Sequence, residues 1–116
     1  MEVRAVLDLL RGAAVEGVRR DSPDLTARQL AVLLTVYVAE APHTVRGLAA
    51  ALNVSKPAIT RAIDRLSELN MVRRRIDEAD RRNVLIQRTV LGSVFVSDYA
   101  ELFLKAGLAG VGRGAQ

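Results

Sequence analysis

The sequence predicts a mainly α-helical fold carrying one small β-hairpin. Three observations predict it. Apolar residues recur at three- and four-residue spacing through most of the chain. That spacing yields once, between Val72 and Gln87, to alternation and β-branched residues. Thr26, Thr44, Ser55 and Thr89, side chains suited to helix N-termini, stand just ahead of the periodic runs. With 116 residues, half of them hydrophobic, the chain has the size of a single domain with a real core. That core draws on Leu, Val, Ala and Ile, since there are only two Phe, two Tyr and no Trp.

The first helix is expected over residues 2–20, where Val3, Val6, Leu7, Leu10, Ala14 and Val18 share a face. Asp21-Ser22-Pro23-Asp24 breaks it. Thr26 and Gln29 then form a capping box, with Leu25 and Leu30 placed as its hydrophobic staple. The second helix is expected to bury Leu30, Leu33, Leu34, Tyr37 and Val38 and to stop before Pro42. Thr44 caps a short third helix with Leu48, Ala49 and Leu52 inside. Asn53-Val54 turns the chain, and Ser55 caps a fourth helix from Lys56 to about Leu69. Pro57 fits there because first-turn N–H groups have no intrahelical partner. Ile59, Ile63 and Leu66 form the inward face, and Asn70 suits the left-handed conformation that commonly ends a helix. Val72, Arg74 and Ile76 alternate with Arg73 and Arg75 as a half-buried strand, residues 77–83 form a hairpin tip, and Val84-Leu85-Ile86-Gln87 returns. Thr89 caps a last helix over residues 90–106, with Leu91, Phe95, Tyr99, Leu102, Phe103 and Ala106 on one face. Four glycines in the next eight residues mark 107–116 as a flexible tail.

Composition excludes several classes. No cysteine means no disulfide, no thiol redox sensing and no cysteine-held zinc, and His43 alone cannot build a multi-histidine metal site. The expected metal and cofactor content is none. The N-terminus lacks a signal-peptide pattern, and no apolar run approaches the roughly 18 residues of a membrane span, so a cytoplasmic protein is expected. No Ser/His/acid set or Gly-rich phosphate loop is present, and the late glycines follow no strand, so catalysis is not expected.

Charge is informative through its distribution. The net charge is +4, but residues 46–88 hold ten Lys/Arg against five Asp/Glu, while the remainder holds seven against eight. The whole positive excess lies mid-chain, as expected where phosphates are bound. The side of the fourth helix opposite Ile59 and Ile63 carries Lys56, Thr60, Arg61 and Asp64, with Arg65 at its border and Ser55, Lys56, Pro57 and Ala58 at its leading end. A helix fits the major groove, where Arg holds guanine bidentately and Lys acts as a point charge on phosphate. Thr44 and Arg46 join this DNA-facing set from the start of the third helix. At the tip, Arg81 and Arg82 are suited to the minor groove, and Asp80 to orienting an arginine in a fork. Solvated surface charge and a generic charged turn are the plain alternatives for helix and tip. The order short helix, turn, capped helix, hairpin is that of a winged helix-turn-helix with N- and C-terminal flanking helices, residues 1–106 forming one domain around a DNA-binding core at 25–89.

The runs Val54-Ser55-Lys56-Pro57-Ala58-Ile59-Thr60-Arg61-Ala62-Ile63-Asp64-Arg65-Leu66, Met71-Val72-Arg73-Arg74-Arg75, Asp77-Glu78-Ala79-Asp80-Arg81-Arg82 and Thr89-Val90-Leu91-Gly92 resemble the MarR family of regulators. The family pattern is a "VSxxxxxRxxDRL" recognition helix, an "LVxR" strand, a "DxxDRR" wing and an "LTxxG" helix start, matched in order and spacing over residues 25–92. The resemblance implies that Ser55 to Arg61 with Arg65 are recognition-helix positions and that Arg81 and Arg82 are minor-groove wing arginines. Two positions depart from the pattern. Arg88 stands where leucine is usual, which implies a more exposed or salt-bridged strand end, and Asn70 replaces glycine.

The flanking helices, 2–20 and 90–106, are shorter than the family's usual interlocking pair. Val3, Leu7 and Leu10 with Phe95, Tyr99, Leu102 and Phe103 are expected to dimerise the chain, and Leu9, Ala13, Val94 and Val96 are left to invite a partner. A symmetric homodimer would set two recognition helices on a pseudo-palindrome of double-stranded DNA. The alternatives are a monomer whose terminal helices complete the core, and a winged-helix protein-interaction module that modulates another regulator without binding DNA. The resemblance also implies a small anionic or phenolic effector between dimerisation helices and winged domain. Arg19, Arg20 and Tyr37 stand nearest such a crevice, although the two arginines equally suit a helix end in water.

Overall fold

The computed structural model describes residues 2–114, with side chains through residue 107. Its elements are α1 (Val3–Arg19), α2 (Ala27–Val38), α3 (Val45–Leu52), α4 (Lys56–Glu68), β1 (Val72–Ile76), β2 (Val84–Arg88) and α5 (Val90–Gly114). The fold is mainly α with one antiparallel hairpin, as the periodicity predicts. It divides into two compact units. Residues 25–96 form one, and the described parts of 1–24 and 97–116 form the other.

In the first unit, side-chain chemistry sets where each helix starts. Thr26 and Gln29 close the capping box reciprocally, at 3.1 Å for Gln29 N–H to Thr26 Oγ1 and 3.0 Å for Thr26 N–H to Gln29 Oε1. Thr44 Oγ1 accepts from Gly47 N–H at 3.0 Å, and Ser55 Oγ accepts from Ala58 N–H at 3.2 Å. Asn53 and Asn70 both take the left-handed conformation, at φ 55° and 58°. At the second of these, Met71 N–H bonds to Leu66 C=O at 2.9 Å and Asn70 N–H to Ser67 C=O at 3.0 Å. That pair of bonds is a Schellman stop, with Met71 and Leu66 both in the core.

The core fills between α2, α3, α4 and the hairpin, with Val32, Leu33, Val36, Leu48, Ile59, Ile63 and Leu66 fully buried. Burying a Leu or Ile side chain contributes about 1.5–3 kcal/mol, so this cluster dominates the unit's stability. On α4 and α3 the inward faces are the expected ones. On α2 the expected stripe is rotated. Val32, Leu33 and Val36 are buried, Leu30, Leu34 and Tyr37 are half-buried, and Val38 is 79% exposed. The reason is that α2 is apolar nearly all round, so its period selects no face and its packing against α3, α4 and β2 does.

β1 and β2 pair in register from Val72↔Arg88 to Ile76↔Val84. The 43–44 segment adds a third edge through a Thr44↔Leu85 bridge and an Ile86 N–H to His43 C=O bond of 2.9 Å. Of the strand residues expected inward, Val72 is buried, but Ile76, at the far end beyond the core, is 54% exposed. The hairpin base is fixed by Tyr37. Its hydroxyl oxygen accepts from Thr89 N–H at 3.0 Å, and its single proton goes to Met71 C=O at 2.8 Å, with Thr89 C=O at 3.1 Å as the alternate acceptor. Thr89 Oγ1 donates to Asn70 C=O at 2.7 Å and accepts from Gly92 N–H at 2.9 Å, capping α5. Gly92 is buried against this junction, and a Cβ there would collide with the Tyr37 hydroxyl and the Met71 carbonyl.

In the second unit α1 packs on the later part of α5 through small residues. A Cβ on Gly12 would lie 3.0 Å from Ala106 Cβ, and one on Gly17 would lie 3.8 Å from Leu102 Cδ1. Ala13 and Leu102 are buried and Leu9 is half-buried. This corrects two expectations. Leu9 and Ala13 are packed within the chain, while Val3, Val6, Leu7, Leu10, Ala14 and Val18 lie outside. Apolar periodicity ranks faces by hydrophobicity, whereas Gly12, Ala13 and Gly17 let the backbones approach closely. The helix also does not stop at residue 106; α5 continues through Gly114, and only 115–116 of the expected tail lie outside the described residues. Each glycine weakens a helix by about 1 kcal/mol but removes no backbone hydrogen bond, so an established helix continues through it.

Candidate nucleic-acid interface

The buried stripe of α4 leaves Lys56, Pro57, Thr60, Arg61, Asp64 and Arg65 on its solvent side, with Ser55 exposed at the cap. Ala58 departs from expectation. Its methyl is 5% exposed, because one turn before Ala62 it falls on the core side, and only its N–H, held by Ser55, belongs to the leading end. Arg46 is exposed on α3, while Thr44 is half-buried with its oxygen engaged by Gly47. Lys56, Arg46 and Arg61 have no carboxylate partner among the described residues, whereas Arg65 lies 3.6 Å from Glu68.

The hairpin is tied to this helix. Arg74 Nη2 on β1 donates to the Asp64 carboxylate on α4, in a pair that keeps more than a third of each side chain in solvent. At the tip Arg82 and Asp80 form a two-pronged fork, Nε to Oδ1 at 3.0 Å and Nη2 to Oδ2 at 3.1 Å, reinforced by Arg82 N–H to Oδ1 at 3.2 Å. The Arg82 side-chain and backbone donors hold the Asp80 carboxyl below its usual range, and Asp80 in turn raises the guanidinium's. Arg82 is nevertheless 90% exposed, so the fork orients the side chain without hiding it. Arg81 lies 3.7 Å from Glu78.

Residues expected at a dimer contact divide in three. Val3, Leu7 and Leu10 are exposed. Tyr99 and Phe103 meet edge-on at 5.2 Å and are half-buried, and Leu102 is buried within its own unit. Phe95 and Val96 pack on the winged core of the same chain, leaving Val94 exposed. Two of the three crevice residues are also engaged. Tyr37 is committed to the hairpin base, and Arg19 pairs with Glu16 at 3.0 Å.

Two contributors escape the sequence reading. Arg74 was read as a strand residue, and nothing in its spacing points to Asp64. Arg88, flagged by its departure from leucine, forms no ion pair among the described residues. Its Nε donates to Val36 C=O at 3.2 Å, at the carboxyl end of α2, and its guanidinium lies 5.6 Å from the Tyr37 ring centroid. Among the described residues no group of His, Asp and Glu is placed to hold a metal, and no helix is long and apolar enough to cross a membrane.

In sequence, no curated protein matches the chain. In structure it is similar to a MepR point mutant from S. aureus, at 20% identity over 93% of this chain and 77% of that one, with a TM-score of 0.75. It is also similar to an E. coli MarR mutant complexed with operator DNA, at 28% identity over 85% and 65%, TM-score 0.65. A third is CouR from Rhodococcus jostii RHA1 bound to p-coumaroyl-CoA, at 25% identity over 89% and 67%, TM-score 0.64. The MarR family model matches residues 25–84, from the capping box of α2 to the first residue of the return strand of the wing. The chain therefore belongs to the MarR family, whose winged-helix members are non-enzymatic DNA-binding transcription regulators.

Proposed function

We propose that this chain reads a specific double-stranded DNA sequence, with α4 in the major groove and the hairpin tip in the neighbouring minor groove. The observation that carries the reading is an outward basic face on α4 joined, through Arg74 and Asp64, to a hairpin whose tip holds an exposed, forked Arg82. Arg61 is the candidate for bidentate contact with guanine, with Thr60 and Arg65 beside it. Lys56, Ser55 and Pro57 at the leading end, and Thr44 and Arg46 on α3, lie where phosphates would pass. Arg81 and Arg82 supply the positive charge that a narrow minor groove attracts.

The exposed Val3, Leu7 and Leu10 support a symmetric homodimer through the terminal helices, on a pseudo-palindromic site. The E. coli neighbour solved on operator DNA supports the partner, and the p-coumaroyl-CoA complex of CouR supports control by a small-molecule effector. Such a regulator works in the cytoplasm.

Selection of bound fragments from random duplex DNA tests the reading and reports half-site spacing with it. A specific motif is expected, with affinity that falls steeply as salt rises. Arg82→Ala should weaken binding, and Arg61→Ala should also relax sequence preference. Equal binding by wild type and the Arg61→Ala/Arg82→Ala double variant would remove the assignment and leave a protein-interaction module in its place.

A further inference from the structure

The hairpin carries an apolar pair where the core cannot cover it. Ile76 and Val84 stand directly opposite each other on the last rung of the sheet. On the next rung out Asp77 N–H bonds to Asn83 C=O at 3.0 Å, and two rungs back Ile86 N–H turns away from β1 to His43 C=O. Ile76↔Val84 is therefore a non-hydrogen-bonded rung, the kind that brings opposed side chains closest. Even so, the two remain 54% and 38% exposed.

Alternation and register fix the face they share. Val72, Arg74 and Ile76 lie on one side of β1, and their partners Arg88, Ile86 and Val84 lie on the same side of β2. Val72 and Ile86 are buried in the core, and Arg74 holds Asp64 on the solvent side of α4. Ile76 and Val84 continue that row outward. Along the hairpin they stand between the Arg74–Asp64 tie and the Asp80–Arg82 fork.

A lone exposed aliphatic side chain is ordinary, and a cross-strand pair supports a hairpin by itself. What marks this pair is its setting. From Val72 to Arg88 the hairpin holds six arginines against three acidic residues, a net charge of +3, which suits a polyanion and not an apolar protein patch. The tip ahead of the pair is a closed turn, with Ala79 N–H on Asp77 Oδ1 and Asn83 N–H on Asp80 C=O, both at 2.9 Å. A strand rises about 3.3 Å per residue, and the minor groove is about 7.5 Å deep. The rung just behind a tip that enters the groove thus meets its rim, where deoxyribose C–H groups lie beside the phosphates.

We infer that Ile76 and Val84 pack on deoxyribose at the rim of the minor groove, adding apolar contact to a wing that otherwise binds by charge. The inference rests on the DNA reading proposed above. Sugar is the same at every base pair, so the contact adds affinity without sequence preference.

The test is fluorescence anisotropy of the full chain on a duplex carrying its selected motif, across a salt series. Ile76→Thr/Val84→Thr keeps β-branching and strand propensity while replacing apolar surface with a hydroxyl. Affinity should fall by about tenfold at every salt concentration. The slope of log affinity against log salt should stay as in wild type, and so should the ranking of base-substituted duplexes. Arg82→Ala is the contrast, since losing a phosphate or groove charge should make that slope shallower by about one. If the double variant does not fold, Val84→Thr alone should show the same pattern at about threefold. Were the pair only a prop for the tip, its loss would also release Arg82, so a shallower slope in the threonine variant overturns the inference. Unchanged or tighter binding overturns it too, as does an altered base preference. Retained duplex affinity with changed sedimentation of the free chain would make the pair a contact between copies instead. If no motif is selected, the DNA reading itself fails; a motif bound equally by wild type and the threonine variant removes this inference alone.

Discussion

Arg74 Nη2 on β1 donates to the carboxylate of Asp64 on α4, joining the hairpin to the solvent side of the helix that carries Arg61. Both side chains remain well hydrated, so solvent screening keeps the pair's own contribution to folding small, about 0.2–1 kcal/mol. A double-mutant cycle with Arg74→Ala and Asp64→Ala, read by denaturant melts, should return a coupling energy in that range. Duplex affinity should fall further than stability does in the Arg74 variant, since the wing loses its tie to the reading helix. Equal and purely additive effects on both readouts would show that the pair carries no positional role.

The fork at the tip separates orientation from charge. Removing Asp80 makes the wing more positive, which by net charge alone would strengthen binding to DNA. We predict the reverse for Asp80→Ala, a loss of several-fold on the scale of a single phosphate or groove contact, about 1 kcal/mol, because Arg82 is released from its two-pronged geometry. Fluorescence anisotropy with a labelled duplex measures it, and tighter binding by the variant would sink the idea.

The same fork has a defined acid limit. Arg82 lowers the Asp80 carboxyl's pKa in the folded chain, so the interaction is fully present above the ordinary carboxylate range and is lost as pH falls through the depressed value. The Arg82 Nε–H resonance should therefore keep its fork-bound shift near neutral pH and lose it on acidification, with a midpoint below the usual Asp value. A midpoint above the usual Asp value of about 3.9 would contradict the assignment.

Tyr37 should be costly to trim. Tyr37→Phe leaves Thr89 N–H and the Met71 carbonyl without their shared partner in a half-buried site. A loss of about 1–3 kcal/mol is expected, and near 100 residues each kcal/mol lowers Tm by roughly 4–8 °C. Thermal melts check it; an unchanged Tm would mean that water replaces the hydroxyl.

Ser67 offers the opposite sign. Its Oγ is buried on α4 with no hydrogen-bond partner among the described residues. Ser67→Ala removes that unsatisfied group and raises helix propensity, so stability should rise by up to about 1 kcal/mol in denaturant melts.

How much of this was legible in the sequence follows the range of each interaction. Caps at Thr26, Thr44 and Ser55, and the left-handed Asn53 and Asn70, act within a few residues, and local spacing locates them. The α4 face was legible because its polar and apolar sides differ sharply. The α2 face was not, because α2 offers apolar residues in every direction and only its neighbours choose among them. The inner face of α1 was missed for a related reason: Gly12 and Gly17 contribute closeness of approach, which carries no hydrophobic signal. At the candidate site, Asp80 beside Arg82 could be read as a fork since they are two residues apart. Arg74 with Asp64, and Arg88 with Val36, join separate elements and are set by hairpin register.

Gly92 carries a consequence for how this chain can drift. Its Cα is hemmed by a side chain on one side, the Tyr37 hydroxyl, and by main chain on the other, the Met71 carbonyl. Shortening Tyr37 would clear only the first obstacle; no substitution anywhere removes a carbonyl. The position is thus closed to compensation: neighbouring residues can be exchanged freely without ever making room for alanine. A descendant that acquires any side chain at 92 must first re-route the backbone after α4, and with it the base of the wing.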